Sequence, residues 1–347
     1  MLSVHSRLAA PLAALALFSA CADSSLDERD PTSEGVLDGV DQPELAQAAA
    51  PSKGGSGGAS STPIQYDDPS VKCYKLTGFQ SPANKSQKYS VPTTPDLYVA
   101  FNVKAPWTGT QYIKSFKSVI DNSKVLHHWL LFRQLNATAE GVTPGAIGIH
   151  PDGEMLFGWA PGGDDMYFDS DVGMAVPAGS VFQLEMHYNN KTGGPSPDAS
   201  GVEVCVTPNK PAHVAGLSWV GTDAISGTSA TGTCTHTSRE KIKLIASQPH
   251  MHTKGNRMKV DLRRANGATE SIHDKPFDFD YQRAYIHNLD INPGDKMTTT
   301  CYYDTAARFG KGTSDEMCYF FSIHWPAGAL AKRNVSSVIH GPNTCID

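Results

Sequence analysis

Six side chains stand out as metal donors: His127 and His128, adjacent in VLHHWLLF; His187 in LEMHYNN; His250 and His252 in HMH; and Met317 in DEMC. Imidazole ligates copper, zinc, iron and nickel alike, whereas a thioether is a soft donor that favours Cu(I). Grouped as His127-His128 with His187 and as His250-x-His252 with Met317, the six point to two separate copper ions cycling between Cu(I) and Cu(II).

Each signal alone also has a plainer meaning. Successive strand residues face opposite ways, so His127 and His128 reach one ion only through local twist or different ring nitrogens. Leu126, Trp129, Leu130, Leu131 and Phe132 make their strand apolar, and histidines there must be hydrogen-bonded or metal-bound. A structural pair meets that need as well as a ligand pair. His250 and His252 share a strand face about 7 Å apart, a spacing that serves a zinc site or two surface histidines equally. Met317 by itself is more often core than ligand, since methionine fills core gaps. His187 ends the alternating run from Val181 on the less apolar face, with Gln183 and Glu185. His150, His213, His236, His273, His287, His324 and His340 fall in no paired spacing and read as structural or exposed.

The elements that position these donors are short and β-rich. LYVAFNV (97–103), VLHHWLLF (125–132), SVFQLEMHY (180–188), VEVCV (202–206), KIKLIASQPHMH (241–252), RMKVDLRR (257–264), KMTTTCYYD (296–304) and EMCYFFSIHW (316–325) are separated by turn residues, with no sustained helical period. The pattern predicts an all-β chain of two tandem antiparallel sandwiches. At 347 residues two domains are expected, each with its own core. TPNKP (207–211) is the break, giving domains over 66–208 and 209–347.

The net charge of -6, with scattered cations, excludes a phosphate-binding stripe and so a nucleic-acid partner. Arg7, the apolar run Leu8 to Phe18 and Ser19-Ala20-Cys21 predict an export signal over 1–21 of the lipoprotein type, with Cys21 as the acylated residue. The only membrane contact expected is through that lipid, at the cell envelope; simple secretion is the alternative. Residues 22–65, without an aromatic residue and rich in Gly, Ser, Ala and acids, predict a disordered linker. The six remaining cysteines, an even number in an exported chain, imply disulfides, with fifteen pairings open.

VLHHWLLF, FGWAPGG with DVGMAVPAG, LEMHYNN, HMH with TKG, INPGD, CYYDT and DEMC, in this order, resemble the copper type II, ascorbate-dependent monooxygenases, the family of the peptidylglycine and dopamine hydroxylases. The resemblance covers roughly residues 70 to 345 and implies that the two tandem sandwiches are jelly-roll-like, with an interdomain cleft. It implies an electron-transfer copper on His127, His128 and His187, and an oxygen-activating copper on His250, His252 and Met317. It further implies disulfides Cys73 with Cys205, Cys234 with Cys345 and Cys301 with Cys318. The implied activity hydroxylates a C–H bond of a small organic substrate, with O2 and ascorbate or a similar one-electron donor. Two first-domain disulfides of the animal enzymes have no cysteines here. Where the peptidylglycine enzymes clamp a peptide carboxylate, this chain has Gln248, Tyr319 and Phe321, which suits an apolar or aromatic substrate lined by Tyr319, Phe320 and Phe321. Glu185 is either a partner for a substrate amine or a solvated face residue. The rival readings are a non-catalytic exported copper-storage protein and a zinc or mononuclear copper hydrolase, the latter disfavoured because no carboxylate neighbours either set in an activating arrangement.

Overall fold

In the computed structural model residues 56–134, 139–145, 153–330 and 343–346 are described; Cys21, the signal segment, His150 and His340 lie outside them. No helix occurs among the described residues, and the strands form a long eleven-stranded sheet, a five-stranded sheet, a four-stranded sheet and a two-stranded ribbon. The chain is all-β. Period-two patterning explains why. In Lys296–Arg308, Met297, Thr299, Cys301 and Tyr303 are buried and the residues between them are not, and in Gly255–Arg263 the inward set is Met258, Val260 and Leu262.

The long sheet runs through both halves of the chain, because Val172–Val176 pairs in parallel with His213–Gly221. Its apolar residues serve two cores. One core joins it to the five-stranded sheet around Phe101, Phe116, Trp129, Leu131 and Met186. The other joins it to the four-stranded sheet around Met258, Val260, Leu262 and Met297. Strand Tyr319–Trp325 sends Tyr319, Phe321 and Ile323 into the first core and Phe320 into the second. The second core draws on residues 220–345 alone, whereas the first takes in residues from both halves of the chain. Each such buried side chain contributes about 1.5–3 kcal/mol, so the halves are joined by packed hydrocarbon as well as by a backbone seam.

Folded structure also begins earlier than the linker expected over 22–65. Ser56 Oγ and Gly57 N donate to Asp171 at 2.9 and 2.8 Å, Gly58 N donates to Asp169 Oδ2 at 2.7 Å, and Ala59–Ser60 pairs with Met166–Phe168. A Cβ on Gly58 would stand 2.8 Å from Asp169 Oδ2, so any larger residue must displace that carboxylate.

Three disulfides join Cys73 to Cys205, Cys234 to Cys345 and Cys301 to Cys318. Val181–Asn190 is paired on both edges, with Thr94–Lys104 and Leu126–Gln134. Both its faces are buried down to His187; Gln134 Nε2 donates to Gln183, and Glu185 is only 2% exposed. The reading of Glu185 as a solvated face residue is corrected: a central strand under a second layer has no solvated face.

Candidate metal centres

His127 and His128 reach the same place because of a local irregularity. Along the pairing of Val181–Asn190 with Leu126–Gln134, His187 faces His128 and Tyr188 faces Leu126, so the register slips past His127 as in a β-bulge. All three rings converge through Nδ1: His127 to His128 at 3.0 Å and His187 to His128 at 3.4 Å. Two of the three outer nitrogens are engaged elsewhere. His187 Nε2 donates to Asp96 Oδ1, and His127 Nε2 donates to Asp280 Oδ1 at 2.9 Å. With those protons committed, Nδ1 of His127 and of His187 are bare lone pairs, and His128 has one Nδ1 proton at most. Facing lone pairs repel, and a cation between them relieves the repulsion. The donor set fits a metal ion.

Carboxylates neighbour this set at the outer ring nitrogens, which is not the activating arrangement a hydrolase needs. Asp96 and Asp280 hold the outer imidazole nitrogens, which fixes tautomer and ring orientation. Neither lies in a position to activate a water. Tyr98 stacks on His187 at 4.2 Å and 5°, and Thr313 Oγ1 from the second half of the chain donates to Asp96 at 3.3 Å.

His250 ends strand Ile242–His250 and His252 lies just beyond it, their rings 5.2 Å apart, while the intervening Met251 is buried in the second core. His250 Nδ1 donates to Gln282 Oε1 at 3.1 Å and His252 Nδ1 to the Asp315 carbonyl at 3.2 Å, which leaves both Nε2 atoms as lone-pair donors. Met317, 8% exposed, is tied to them through Glu316. The buried Glu316 carboxylate accepts from the backbone N–H of His252 (2.8 Å), Lys254 (2.6 Å) and Met317 (3.3 Å). Burial raises its pKa, and these N–H groups pull the other way. One side chain therefore holds the H-x-H segment and the Met317 segment in register.

The two sets, expected to stand apart across a cleft, come close together. Phe279 stacks on His127 (4.9 Å, 28°) and meets His128 and His252 edge-on at 6.4 and 6.2 Å. A cleft of about 650 Å³ is lined by both halves of the chain and reaches His127 and His187. Between His128 and His250 only about 10 Å³ remains, hardly room for one water. Of the residues expected near substrate, Gln248 and Phe321 line that space, and Phe321 stacks on His250 at 5.3 Å. Gln248 Nε2 donates to the Gly158 carbonyl at 3.0 Å, and its Oε1 is unpaired. Tyr319 turns its hydroxyl to Asp223, Phe320 faces the second core, and Glu185 lies along the strand from His187, so these three are not gathered there.

Sequence reasoning missed Asp96, Phe279, Asp280 and Gln282. The signal for the last three is the run FDFDYQ, in which aromatic and polar residues alternate outside any strand pattern.

Burial lowers the pKa of His250 to about 3 and of His187 to about 4; His128 is held well below its ordinary value by burial and then by its imidazole neighbours. His273, His287 and His324 are likewise lowered by burial to about 4. A histidine whose folded pKa lies below its unfolded value of 6.5 takes up its proton preferentially on unfolding. Its contribution is thus complete above pH 6.5 and is lost as pH falls toward 4. The metal-free protein should show a falling melting temperature over that window in scanning calorimetry; a melting temperature unchanged from pH 7 to 4 contradicts it.

Residues 83–195 match the N-terminal domain, and residues 222–338 the C-terminal domain, of copper type II ascorbate-dependent monooxygenases. Among curated relatives, MOXD1 homolog 1 of Drosophila melanogaster is 26% identical over 286 residues, 66% of this chain and 40% of that protein. DBH-like monooxygenase protein 2 of Mus musculus is 25% identical over 302 residues, 75% of this chain and 47% of that protein. Dopamine beta-hydroxylase of Bos taurus is 29% identical over 206 residues, 51% of this chain and 33% of that protein. The chain spans less than half the length of these three.

Proposed function

Because the chain belongs to the copper type II ascorbate-dependent monooxygenases, we propose that it hydroxylates a C–H bond of a small organic substrate, using O2 and ascorbate or a similar one-electron donor. One oxygen atom enters the product and the other leaves as water, with two electrons from the donor. His127, His128 and His187 would hold an electron-transfer copper, and His250, His252 and Met317 an oxygen-activating one. Copper, when bound, supplies one-electron transfer and O2 activation.

The observation that carries this reading is the pair of donor sets in which four of the five histidines have the other ring nitrogen already engaged, by Asp96, Asp280, Gln282 and the Asp315 carbonyl. The chain's own residues do three things. They keep His128, His187, His250 and His252 neutral by burial, fix which nitrogen of four of the five rings faces the metal, and enclose the reacting space. Phe321 offers substrate an apolar wall and Gln248 Oε1 a hydrogen-bond acceptor, which favours an apolar or aromatic substrate over a carboxylate-bearing peptide. The three disulfides suit an exported protein, and acylation of Cys21 would keep it at the envelope.

The test is copper analysis of purified protein together with ascorbate-dependent oxygen uptake. Two coppers per chain, with oxygen consumed in proportion to hydroxylated product, are expected. Two coppers with no such uptake would favour the non-catalytic storage reading.

A further inference from the structure

We propose that residues 279–283 are a positioning strap that fixes one imidazole of each donor set and thereby couples the two centres. The proposal rests on the ligand assignment above. The strap lies between strands Thr269–Pro276 and Tyr285–Ile291, in the second half of the chain. Asp280 accepts from His127 Nε2 and Gln282 accepts from His250 Nδ1, so two residues of one short segment set the tautomer of one ring in each set. Phe279 lies over His127, and its carbonyl accepts from Gln282 Nε2 at 3.0 Å, which ties the two contacts together.

The alternate residues anchor the strap to the first half of the chain. The Tyr281 ring occupies the space over Gly162, where a Cβ would meet it at 1.7 Å; Gly162 has φ +73°. Arg283 pairs with Asp164 at 3.1 Å, and a Cβ on Gly163 would stand 3.2 Å from the Gln282 carbonyl oxygen. The WAPGG turn is thus a cradle for this strap. Anchoring is needed because the Asp280 side chain is 81% exposed, and a contact so open to water is too weak to hold a ring by itself. Since the long sheet and the first core join the two halves, separating them as rigid bodies would break packed structure.

The test loads the metal-free full chain with Cu(II) alone and measures copper per chain, the EPR spectrum and chelator competition. Asp280→Asn should keep two coppers while weakening the three-histidine copper about tenfold, as loss of an outer partner of a ligand does, and altering its hyperfine splitting; Asp280→Glu should restore both. Tyr281→Ala, which touches no imidazole, should change the same spectrum in the same direction. Gln282→Ala should weaken the other copper. Two coppers in the parent with unchanged affinity and spectra in Asp280→Asn and Tyr281→Ala overturn the strap alone. Fewer than two coppers in the parent overturn the ligand assignment and the strap with it.

Discussion

Met317→Ile should yield a folded protein that binds one copper per chain and forms no detectable hydroxylated product. The backbone at this position is held independently of the side chain: Met317 N donates to Glu316, the Met317 carbonyl accepts from Tyr303 Oη at 3.2 Å, and Cys318 is disulfide-bonded to Cys301. Isoleucine is close in volume and fully apolar, and such swaps usually cost less than about 1.5 kcal/mol, so the melting temperature should fall by only a few degrees. What disappears is the soft sulfur that favours Cu(I). Loss of an outer-shell partner already costs about 10–100-fold in metal affinity or activity, so loss of the donor itself should exceed the upper figure. Metal analysis and product formation read the two effects separately. A variant with full turnover would remove Met317 from the site.

How much of this was legible in the sequence differs from residue to residue. Alternation in KMTTTCYYD and RMKVDLRR was enough for the all-β architecture, because half-buried strands impose a period of two. H-x-H was legible for the same reason. His127-His128 was not, since a bulge is set by pairing with Val181–Asn190, and no residue in VLHHWLLF announces it. Tyr319, Phe320 and Phe321 looked like one aromatic lining, yet strand alternation turns Phe320 into the second core, and of the two left on the other face only Phe321 stacks on His250. The carboxylates on the outer nitrogens come from Asp96 and Asp280, 91 residues before His187 and 153 after His127. Only the folded chain brings such distant groups together. The shared core was hidden too: the apolar faces of Tyr319–Trp325 show burial on both sides, but not which halves of the chain supply the cover.

His187→Ala should remove the electron-transfer copper while leaving the copper on His250, His252 and Met317 loaded, with turnover reduced by more than about a hundredfold, since a donor is lost rather than its outer partner. The argument turns on where His187 sits: 3% exposed, stacked on Tyr98, its Nε2 proton on Asp96 and its Nδ1 facing His128. Without that ring the two remaining imidazoles no longer close around an ion, and under the proposed assignment electrons from the donor would lose their relay. Asp96→Asn keeps the ring but weakens its acceptor, so a loss of about tenfold is expected. The double variant His187→Ala with Asp96→Asn is the decisive comparison. If Asp96 acts only through the ring, it adds nothing once the ring is gone, and the double variant should turn over as slowly as His187→Ala alone. Additive losses would show that Asp96 acts by a second route, and the contact from Thr313 to the same carboxylate oxygen identifies where to look.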